Sequence, residues 1–423
     1  FFFRYFFCDF IDEDSDTARN PCRLALNLKI KGDSAVLDFT GSDPQLTSSI
    51  NVPTGGFAHH TLMLVGVYYV LYTLNPNLLL NCGLTRPFTC ILPKGTIVNP
   101  EFPAAVGMRS LTCGRIRSLI FGAFSLALPD RMPAAPAGSS SIVNVMTTEN
   151  QTGKRIIAAI NPVVGGAGGM PHRDGPDGSG ADAAYLKNTP IELVESEVPI
   201  EILRYGLAPD SGGAGRYRGG LGTWLEFKVF SPNTRITARN RDRTRFRPWG
   251  VLGGRAGKSS NFILNPGTNR EKILGNADLL TAEPGDVIRF YGPGGGGRGS
   301  PLDRETDRVA QDVERGYVSV EAAKAEYGVV LTDGVVDEPG TAALRQGMQR
   351  HIDHFDFGPE RTAYEKTWSR EKYDDLTEIL MGLPVHWRFF VKSQIFDVLK
   401  DDQDANVRTA FDGILREHPQ IAT

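Results

Sequence analysis

The chain has 423 residues, of which 41% are hydrophobic, and its formal net charge is -3 at neutral pH. This length suggests about two to three domains, and the apolar content is sufficient to form buried cores. The near-neutral charge excludes a protein that binds nucleic acid mainly by electrostatic attraction. Five scattered cysteines are odd in number and too few for a disulfide framework, which favours a reducing, cytoplasmic location.

The N-terminal part, residues 1–160, is predicted to be mixed α/β. Its first seven residues, Phe1 to Phe7, are mostly apolar, but the run is too short to cross a membrane or to act as a signal sequence. Two runs at 24–30 and 34–39 alternate apolar and polar residues on either side of a turn, which predicts a β-hairpin. Longer apolar blocks predict two buried helices, at 57–74 and 113–128.

The middle of the chain, residues 161–302, is predicted to be a β-rich module with glycine loops. Short apolar runs between glycine turns indicate its strands, at 225–230, 235–238, 261–264 and 286–290. A helical closing segment is predicted at 303–331 and a helical C-terminal extension at 332–423. Within the extension, apolar residues at three- and four-residue steps after Ser369 predict an amphipathic helix with Ser369 as its N-cap. The predicted fold class is therefore α+β.

An apolar cluster follows that amphipathic helix. Its members are Val385, Trp387, Phe389, Phe390 and Val391. Such a cluster needs a surface to pack against, and either its own domain or another subunit can supply one. The sequence leaves both alternatives open.

Two glycine-rich segments imitate nucleotide-binding motifs. The segment 253–259 ends in Gly-Lys-Ser, but Leu252 stands where a phosphate loop needs its first glycine, and a strand is predicted after it. The segment 292–297 satisfies G-x-G-x-x-G, but no helix is predicted directly after it. The first segment is therefore predicted to be a turn. The second either binds an anion together with Arg298 or is a structural crossing of chains.

The densest group of ionisable side chains lies in the glycine-rich segment 165–182. It contains His172, Arg173, Asp174, Asp177 and Asp182. Imidazole and carboxylate groups can transfer protons or orient a water, so His172, Asp174 and Asp177 are candidate catalytic residues; a solvated loop with turn-forming aspartates is the alternative. Arg109 and Arg115, near the second predicted helix, are candidates to oppose negative charge on an intermediate, with ion pairing at an interface as the alternative.

Blocks rich in glycine also carry a family resemblance. Asn188-Thr-Pro-Ile-Glu192 precedes the run 209–222, Pro-Asp-Ser-Gly-Gly-Ala-Gly-Arg-Tyr-Arg-Gly-Gly-Leu-Gly, which indicates a site wall or a buried corner. Together with shorter blocks in family order, these segments resemble the hydantoinase B/oxoprolinase family over about residues 5–330. The shorter blocks lie at 36–45, 50–53, 103–106, 247–250 and 293–299. The candidates for binding the substrate or an anion are Asn188, Asp210, Ser211, Arg216 and Arg298.

This resemblance implies an enzyme that is active only in a complex. Members of the family open cyclic amides or imides, such as hydantoins and 5-oxoproline, and couple the opening to ATP hydrolysis through phosphorylation of the carbonyl oxygen. A hydantoinase A-like subunit binds ATP with Mg²⁺, so this chain is expected to be a subunit of a hetero-oligomer. The family's N-terminal half is expected to be missing from this chain and to hold any divalent metal. The alternatives are a subunit of an acetone- or acetophenone-type carboxylase, which resembles the same family, and a non-catalytic assembly subunit.

One stretch departs from the family pattern. Many relatives place a His-Thr-His-like element just before the Asn-Thr-Pro block, whereas this chain has Ala-Asp-Ala-Ala-Tyr-Leu-Lys at 181–187. Imidazole and carboxylate groups can also bind a metal, but this departure weakens any claim that the segment 165–182 does so.

Overall fold

The computed structural model describes residues 2–14, 19–149, 152–160, 162–180, 188–239 and 241–422. The helices in these ranges are α1 (Thr61–Leu74), α2 (Arg109–Ala127), α3 (Ile191–Glu197), α4 (Thr306–Glu314), α5 (Val320–Tyr327), α6 (Glu338–Gly347), α7 (Pro359–Thr367), α8 (Arg370–Gly382), α9 (Val385–Asp401) and α10 (Val407–Glu417). The strands are β1 (Phe2–Ile11), β2 (Cys22–Lys31), β3 (Ser34–Asp38), β4 (Phe88–Ile91), β5 (Ser140–Thr148), β6 (Arg155–Ala159), β7 (Val163–Val164), β8 (Ile200–Leu207), β9 (Thr223–Val229), β10 (Thr234–Arg239), β11 (Gly250–Val251), β12 (Asn261–Leu264), β13 (Lys272–Ile273), β14 (Leu279–Ala282), β15 (Val287–Tyr291), β16 (Leu331–Thr332), β17 (Val335–Val336) and β18 (Phe355–Asp356).

Contacts group these elements into two units, one formed by residues 1–132 with 359–423 and the other by residues 133–358. Residues 303–358 therefore pack with the glycine-rich middle of the chain, and residues 359–423 pack with the N-terminal sheet. This grouping differs from the four consecutive segments predicted from composition. None of the helices within the described ranges is both long and apolar enough to cross a membrane.

The first unit is built on a four-stranded sheet with the order β1-β2-β3-β4. The first three strands are antiparallel neighbours, and β4 pairs parallel to β3. Helix α2 packs on β1 and β2, and it approaches β1 so closely that a Cβ on Gly122 would overlap the ring of Phe7. The predicted hairpin and both predicted helices are confirmed, although α1 begins at Thr61 rather than at Phe57 and α2 begins at Arg109 rather than at Cys113.

The helical extension completes the first unit. Helix α8 begins as predicted, because the hydroxyl of Ser369 accepts the N–H of Lys372 at 3.3 Å. In α9, Val391 is buried, and the ring of Phe390 packs edge-on against His418 with 5.0 Å between centroids. Part of the predicted apolar cluster thus packs within its own unit. A subunit interface for its half-buried members stays a prediction.

The second unit contains two five-stranded sheets. One has the order β14-β10-β5-β6 with β7 paired to β5, and the other has the order β13-β12-β15-β9-β8. Their inner faces share one apolar core, which includes Val145 and Ile236 from the first sheet and Phe227, Phe262 and Phe290 from the second. The four strands predicted between 225 and 290 are confirmed.

Extended glycine-rich segments form a further element of the second unit, which we call the glycine bundle. Its segments are 134–138, 165–169, 211–223, 249–258 and 292–298. They are joined to one another by backbone hydrogen bonds, yet apart from the short strand β11, the first residue of β9 and isolated bridges they contain no β-structure.

The segment 292–298 lies at the axis of the glycine bundle. Every third N–H group of this segment donates to a carbonyl oxygen of the same neighbouring segment. One series runs from Gly292, Gly295 and Arg298 to the carbonyl oxygens of Thr223, Gly220 and Tyr217, and a second runs from Gly294 and Gly297 to those of Lys258 and Arg255. A repeat of three residues without internal hydrogen bonds is that of a polyproline II helix, formed here by glycine.

Close approach of the segments explains why they are glycine. A Cβ on Gly294 would overlap the carbonyl oxygen of Ser211, and one on Gly295 would overlap that of Ala167. Glycine is required for the same reason at the crowded axis of collagen. The N–H groups of Gly294 to Gly297 all donate to backbone carbonyls, so of the two alternatives for this run the structural crossing of chains fits its backbone, while a binding role for Arg298 stays a prediction.

The predicted helical closing segment is confirmed by α4 and α5. Val309, Ala323 and Tyr327 of these helices form a small apolar core with Ala214 of the glycine bundle. The helices are thereby fixed against the bundle, and α4 supplies a charged partner, Asp312, to the candidate site.

Candidate functional site

The candidate site begins at a tight turn where the segment 165–169 leaves the glycine bundle. The N–H of Met170 donates to the carbonyl oxygen of Arg173 at 3.0 Å, which closes the turn. His172 and Arg173 are exposed on it. The turn leads directly into Asp174, which is half-buried.

Asp174 is held by two arginines. Its carboxylate accepts hydrogen bonds from Nη1 and Nη2 of Arg304, at 2.7 and 2.8 Å, and from the N–H of Arg218 at 2.7 Å. Burial alone would raise the pKa of the Asp174 carboxyl, but the hydrogen bonds and charges of the two arginines outweigh it, so that the pKa lies below its usual value. A carboxylate with a lowered pKa is a weak base near neutral pH.

Asp177 is fixed in a similar way. It accepts hydrogen bonds from Nη1 of Arg218 at 3.0 Å and from the N–H of Leu221 at 2.7 Å. The buried Arg218 also lies 3.6 Å from Asp312, which in turn pairs with Arg304 at 2.7 Å. Burial would lower the pKa of Arg218, but Asp177 and Asp312 raise it above its usual value, which keeps the guanidinium charged.

These contacts form one buried ion-pair network that positions the exposed turn. Arg304 links the turn to a second exposed residue, because its Nη1 donates both to Asp174 and to the carbonyl oxygen of Arg216 at 3.1 Å. Arg173 and Arg216 form no ion pair within the part of the chain that the structure describes. The side chains that can reach a ligand here are therefore His172, Arg173 and Arg216.

The other residues predicted to bind substrate mostly fix the backbone. Asp210 accepts the N–H of Ser319 at 2.7 Å, and the hydroxyl of Ser211 donates to Ala208 O at 2.7 Å while it accepts the N–H of Gly222 at 2.9 Å. The exposed Asn188 accepts a hydrogen bond from the hydroxyl of Tyr205 at 3.0 Å. Arg298 is buried and lies on the axis of the glycine bundle. Their roles in binding stay predictions.

Arg109 and Arg115 lie on α2 in the first unit. Arg109 is exposed, and its Nη1 donates to the carbonyl oxygen of Val106 at 3.2 Å. Arg115 is fully buried and forms an ion pair with Asp9 at 3.7 Å. Of the two, only Arg109 is accessible to a ligand in this conformation.

The segment 253–259 begins in a turn at Leu252 and Gly253, as predicted, and then runs along the glycine bundle. The N–H groups of Arg255, Gly257 and Lys258 donate to the carbonyl oxygens of Ala214, Pro248 and Ser211. Groups that are already bonded to backbone carbonyls do not cradle a phosphate. In the described residues, no three His, Cys, Asp or Glu side chains come together to hold a metal ion. Asp182 and the stretch 181–187 lie outside those residues.

Sequence reasoning missed Arg304 and Asp312 as members of this network. Arg304 follows the glycine bundle after a short cap in which the hydroxyl of Ser300 accepts the N–H of Leu302. The available signal was an arginine a few residues after a glycine-rich run. Its guanidinium group can reach carboxylates on the segments that pack beside that run.

The helices and the mainly antiparallel sheets define an α+β protein. Its second unit adds a glycine bundle of the polyproline II type with an adjoining ion-pair network. A family model described as "Hydantoinase B/oxoprolinase" matches residues 3–301 of the chain. The chain therefore belongs to the hydantoinase B/oxoprolinase family.

Individual relatives agree with this family. The chain is 36% identical over 327 residues to an uncharacterised protein of Methanocaldococcus jannaschii, covering 76% of this chain and 55% of the relative. It is 31% identical to the caprolactamase subunit beta of Pseudomonas jessenii, covering 79% of this chain and 58% of that subunit. The chain thus spans little more than half the length of these relatives.

Solved structures resemble the fold. The crystal structure of the ATP-dependent caprolactamase from Pseudomonas jessenii matches with a TM-score of 0.66 and 29% identity, over 81% of this chain and 60% of that chain. A nucleotide-free acetone carboxylase matches with a TM-score of 0.66 over 99% of this chain and 58% of that chain. Its identity is 21%, so this second match concerns the fold alone.

Proposed function

We propose that this chain forms part of a hydantoinase B-type subunit in an ATP-dependent enzyme that opens a cyclic amide or imide. The observation that carries the proposal is the family match over residues 3–301. The similarity to a caprolactamase, which by its name is ATP-dependent and acts on a lactam, supports this substrate class. The ring is a hydantoin, 5-oxoproline or another lactam.

ATP and Mg²⁺ are bound by a hydantoinase A-like partner in this proposal. The arrangement of the segment 253–259 supports that division of labour, because its backbone N–H groups are bonded within the glycine bundle. The active enzyme is then a hetero-oligomer in the cytoplasm, and this chain has no activity by itself. A divalent metal, where one is used, is bound by residues outside those described.

Within this chain, the exposed turn supplies the groups that meet the substrate. Phosphorylation of the amide carbonyl oxygen by ATP places negative charge on the intermediate, and guanidinium groups stabilise such charge by charge-assisted hydrogen bonds. Arg173 and Arg216 have no competing carboxylate among the described residues, and His172, next to Arg173 in the chain, can hold the attacking water. Asp174 and Asp177 are positioning residues that keep this turn in place.

The test is a reconstituted complex of the full subunit with its hydantoinase A-like partner. Phosphate release is measured with hydantoin, 5-oxoproline and caprolactam, and the ring-opened product is quantified in the same samples. We expect phosphate release to require a cyclic amide and to match the amount of opened ring. Arg216→Ala should lower turnover by about two to three orders of magnitude if the contact is made in the transition state. Arg155→Ala, at an exposed arginine of β6, is the matched control and should leave turnover unchanged.

Two other results would replace this proposal. Phosphate release that requires bicarbonate, with no opened ring, assigns the complex to the carboxylases. Equal phosphate release by the partner with and without this chain, on every cyclic amide, assigns the chain to assembly only.

A further inference from the structure

Helix α6 is mostly exposed, and polar contacts connect it to the rest of the second unit. Asp337 caps its N-terminus, because the carboxylate accepts the N–H of Gly340 at 3.0 Å. Thr341 is buried, and its hydroxyl accepts the N–H of Val330 at 3.0 Å. A helix with so little buried surface is held in place chiefly by the hydrogen bonds that it makes.

Arg345, in the last turn of α6, joins two backbone positions that are far apart in sequence. Its Nε donates to the carbonyl oxygen of Tyr327 at 3.0 Å, and its Nη2 donates to that of Arg304 at 2.9 Å. Tyr327 is the last residue of α5, and Gly328 ends that helix in the left-handed conformation. A Cβ at Gly328 would lie 2.9 Å from Cγ of Arg345, so glycine there also allows the arginine to lie close.

These contacts of Arg345 do not neutralise its charge. Within the described residues it forms no ion pair, since Asp303, the carboxylate that acts on it most strongly, pairs with Arg350 at 2.7 Å. The bond to Tyr327 caps the last turn of α5, whereas the bond to Arg304 reaches beyond that helix. Arg345 therefore acts on its surroundings through the geometry of two hydrogen bonds.

The bond to Arg304 connects α6 with the exposed turn of the candidate site. The guanidinium group of Arg304 holds the Asp174 carboxylate at 2.7 and 2.8 Å, and it also donates to the carbonyl oxygen of Arg216 at 3.1 Å. The Arg304 side chain is 2% exposed, so close packing leaves it little freedom to compensate for a shift of its own backbone. A displaced Arg304 carbonyl would therefore displace Asp174 and Arg216 together.

We propose that Arg345 is a positioning residue of the candidate site and acts through Arg304 on the exposed turn. The inference rests on the proposed function where it concerns turnover, but the coupling of Arg345 to Asp174 is a property of the folded chain by itself. Both Arg304 and α6 lie beyond the family match over residues 3–301. The turn is thus positioned by a part of the chain that the family model does not cover.

A double-mutant cycle on unfolding tests the coupling without an assay of turnover. Arg345→Met keeps an unbranched stem and removes both hydrogen bonds, and Asp174→Asn weakens the pairing of Arg304. If Arg345 acts through Arg304, the double variant should unfold less readily than the two single effects predict, by about fivefold in the unfolding equilibrium constant. Strictly additive effects would show that Arg345 only caps α5, and the proposal would be wrong.

The matched control is Arg350→Met, which removes an arginine three residues after α6 that bonds to Asp303 and not to the Arg304 carbonyl. Its effect should add to that of Asp174→Asn. If Arg345→Met does not fold, Arg345→Gln, which keeps only an amide donor, replaces it in every measurement. A coupling in the control as large as that of Arg345 would overturn the proposal.

The pKa of the Asp174 carboxyl, followed by NMR, gives a second readout. Burial would raise this pKa, but the hydrogen bonds from Arg304 lower it. Arg345→Met should therefore shift the pKa upward, towards the usual value, and Arg345→Lys should restore most of the difference because an ammonium group can donate to both carbonyls. A pKa that stays unchanged in Arg345→Met would contradict the proposed linkage.

Turnover is measured last, in the reconstituted complex. Arg345→Met should lower kcat about tenfold and change KM by less than about twofold, because a misplaced turn weakens contacts to the intermediate. Arg350→Met should change neither. An unchanged kcat beside an active parent would overturn the positioning role. If the cycle shows coupling but the parent complex opens no cyclic amide, the proposed function fails while the linkage of Arg345 to Asp174 stands.

Discussion

The apolar core and the glycine bundle stabilise the same unit by opposite means. In the core, aromatic side chains from two sheets fill the space between them, as the stacked rings of Phe262 and Phe290 do at 4.3 Å between centroids. In the bundle, backbone atoms fill the space themselves, and a single added carbon at Gly295 would overlap a carbonyl oxygen. The core therefore tolerates no loss of side-chain volume, whereas the bundle tolerates no gain.

The largest effect is expected in the core. Phe227 is fully buried, and Phe227→Ala should lower the free energy of unfolding by about 3–5 kcal/mol through lost burial and the cavity left behind. Urea unfolding followed by circular dichroism measures the loss. Ile157→Ala, at a side chain that is 66% exposed, is the control and should change little. Equal effects of the two substitutions would show that the sheets do not share a close-packed core.

The bundle should respond nearly as strongly to a much smaller change. Gly295→Ala is expected to cost about 3 kcal/mol, at the upper end for added volume, because the backbone of the facing segment has to move. Gly206→Ala is the matched control, since a Cβ there meets no atom within 4 Å. The same urea titration compares them. A Gly295→Ala protein as stable as Gly206→Ala would contradict the close approach of the segments.

The ion-pair network links the bundle to helix α4 through Asp312, and its effect should depend on pH. Asp174→Asn is expected to cost about 2 kcal/mol at pH 7, since it weakens the pairing of a buried arginine. The pKa of Asp174 is lowered in the folded chain, so its stabilisation is complete above its unfolded pKa of about 3.9 and is lost as the pH falls through the folded pKa. Unfolding titrations of both proteins between pH 7 and acid conditions should converge at low pH.

This experiment also distinguishes a positioning role from a catalytic one. If Asp174 positions the turn, the loss of turnover in the reconstituted complex should follow the loss of stability. The pH profile of turnover should then keep its shape. Unchanged stability together with a lost acidic limb in the pH profile of turnover would instead identify Asp174 as the general base that the sequence predicts.

The smallest effect is expected outside both regions, at the start of α8. Ser369→Ala removes the hydroxyl that accepts the N–H of Lys372 and should cost about 1 kcal/mol. Ser369→Asp keeps a good capping group and should retain most of the stability. Thermal unfolding of the two variants makes the comparison, and identical losses would show that the cap is not formed in solution.

Periodicity explains which parts of this fold could be predicted. In β9, buried residues alternate with partly exposed ones, and in α8 the buried residues recur at three- and four-residue steps, so both elements were found from side chains. The glycine bundle also repeats, every third residue, but its repeat is carried by backbone N–H groups that every residue other than proline has. Its sequence therefore shows abundant glycine without showing the arrangement.

The candidate site was predicted in part for a similar reason. The density of ionisable groups drew attention to His172, Asp174 and Asp177, and the structure does place a charged cluster there. Their partners could not be predicted, because Arg304 is 130 residues from Asp174 along the chain. Pairing decides whether a carboxylate acts as a base or as an anchor, and pairing at such a separation depends on the tertiary structure.

The glycine bundle also changes how the second unit should respond to temperature. Unfolding an apolar core raises the heat capacity, whereas exposing peptide groups lowers it. The bundle buries peptide groups with few side chains, so it should add little to the curvature of stability with temperature. On cooling, where the hydrophobic contribution of the sheets weakens, the backbone hydrogen bonds around 292–298 should hold a growing share of the unit's stability.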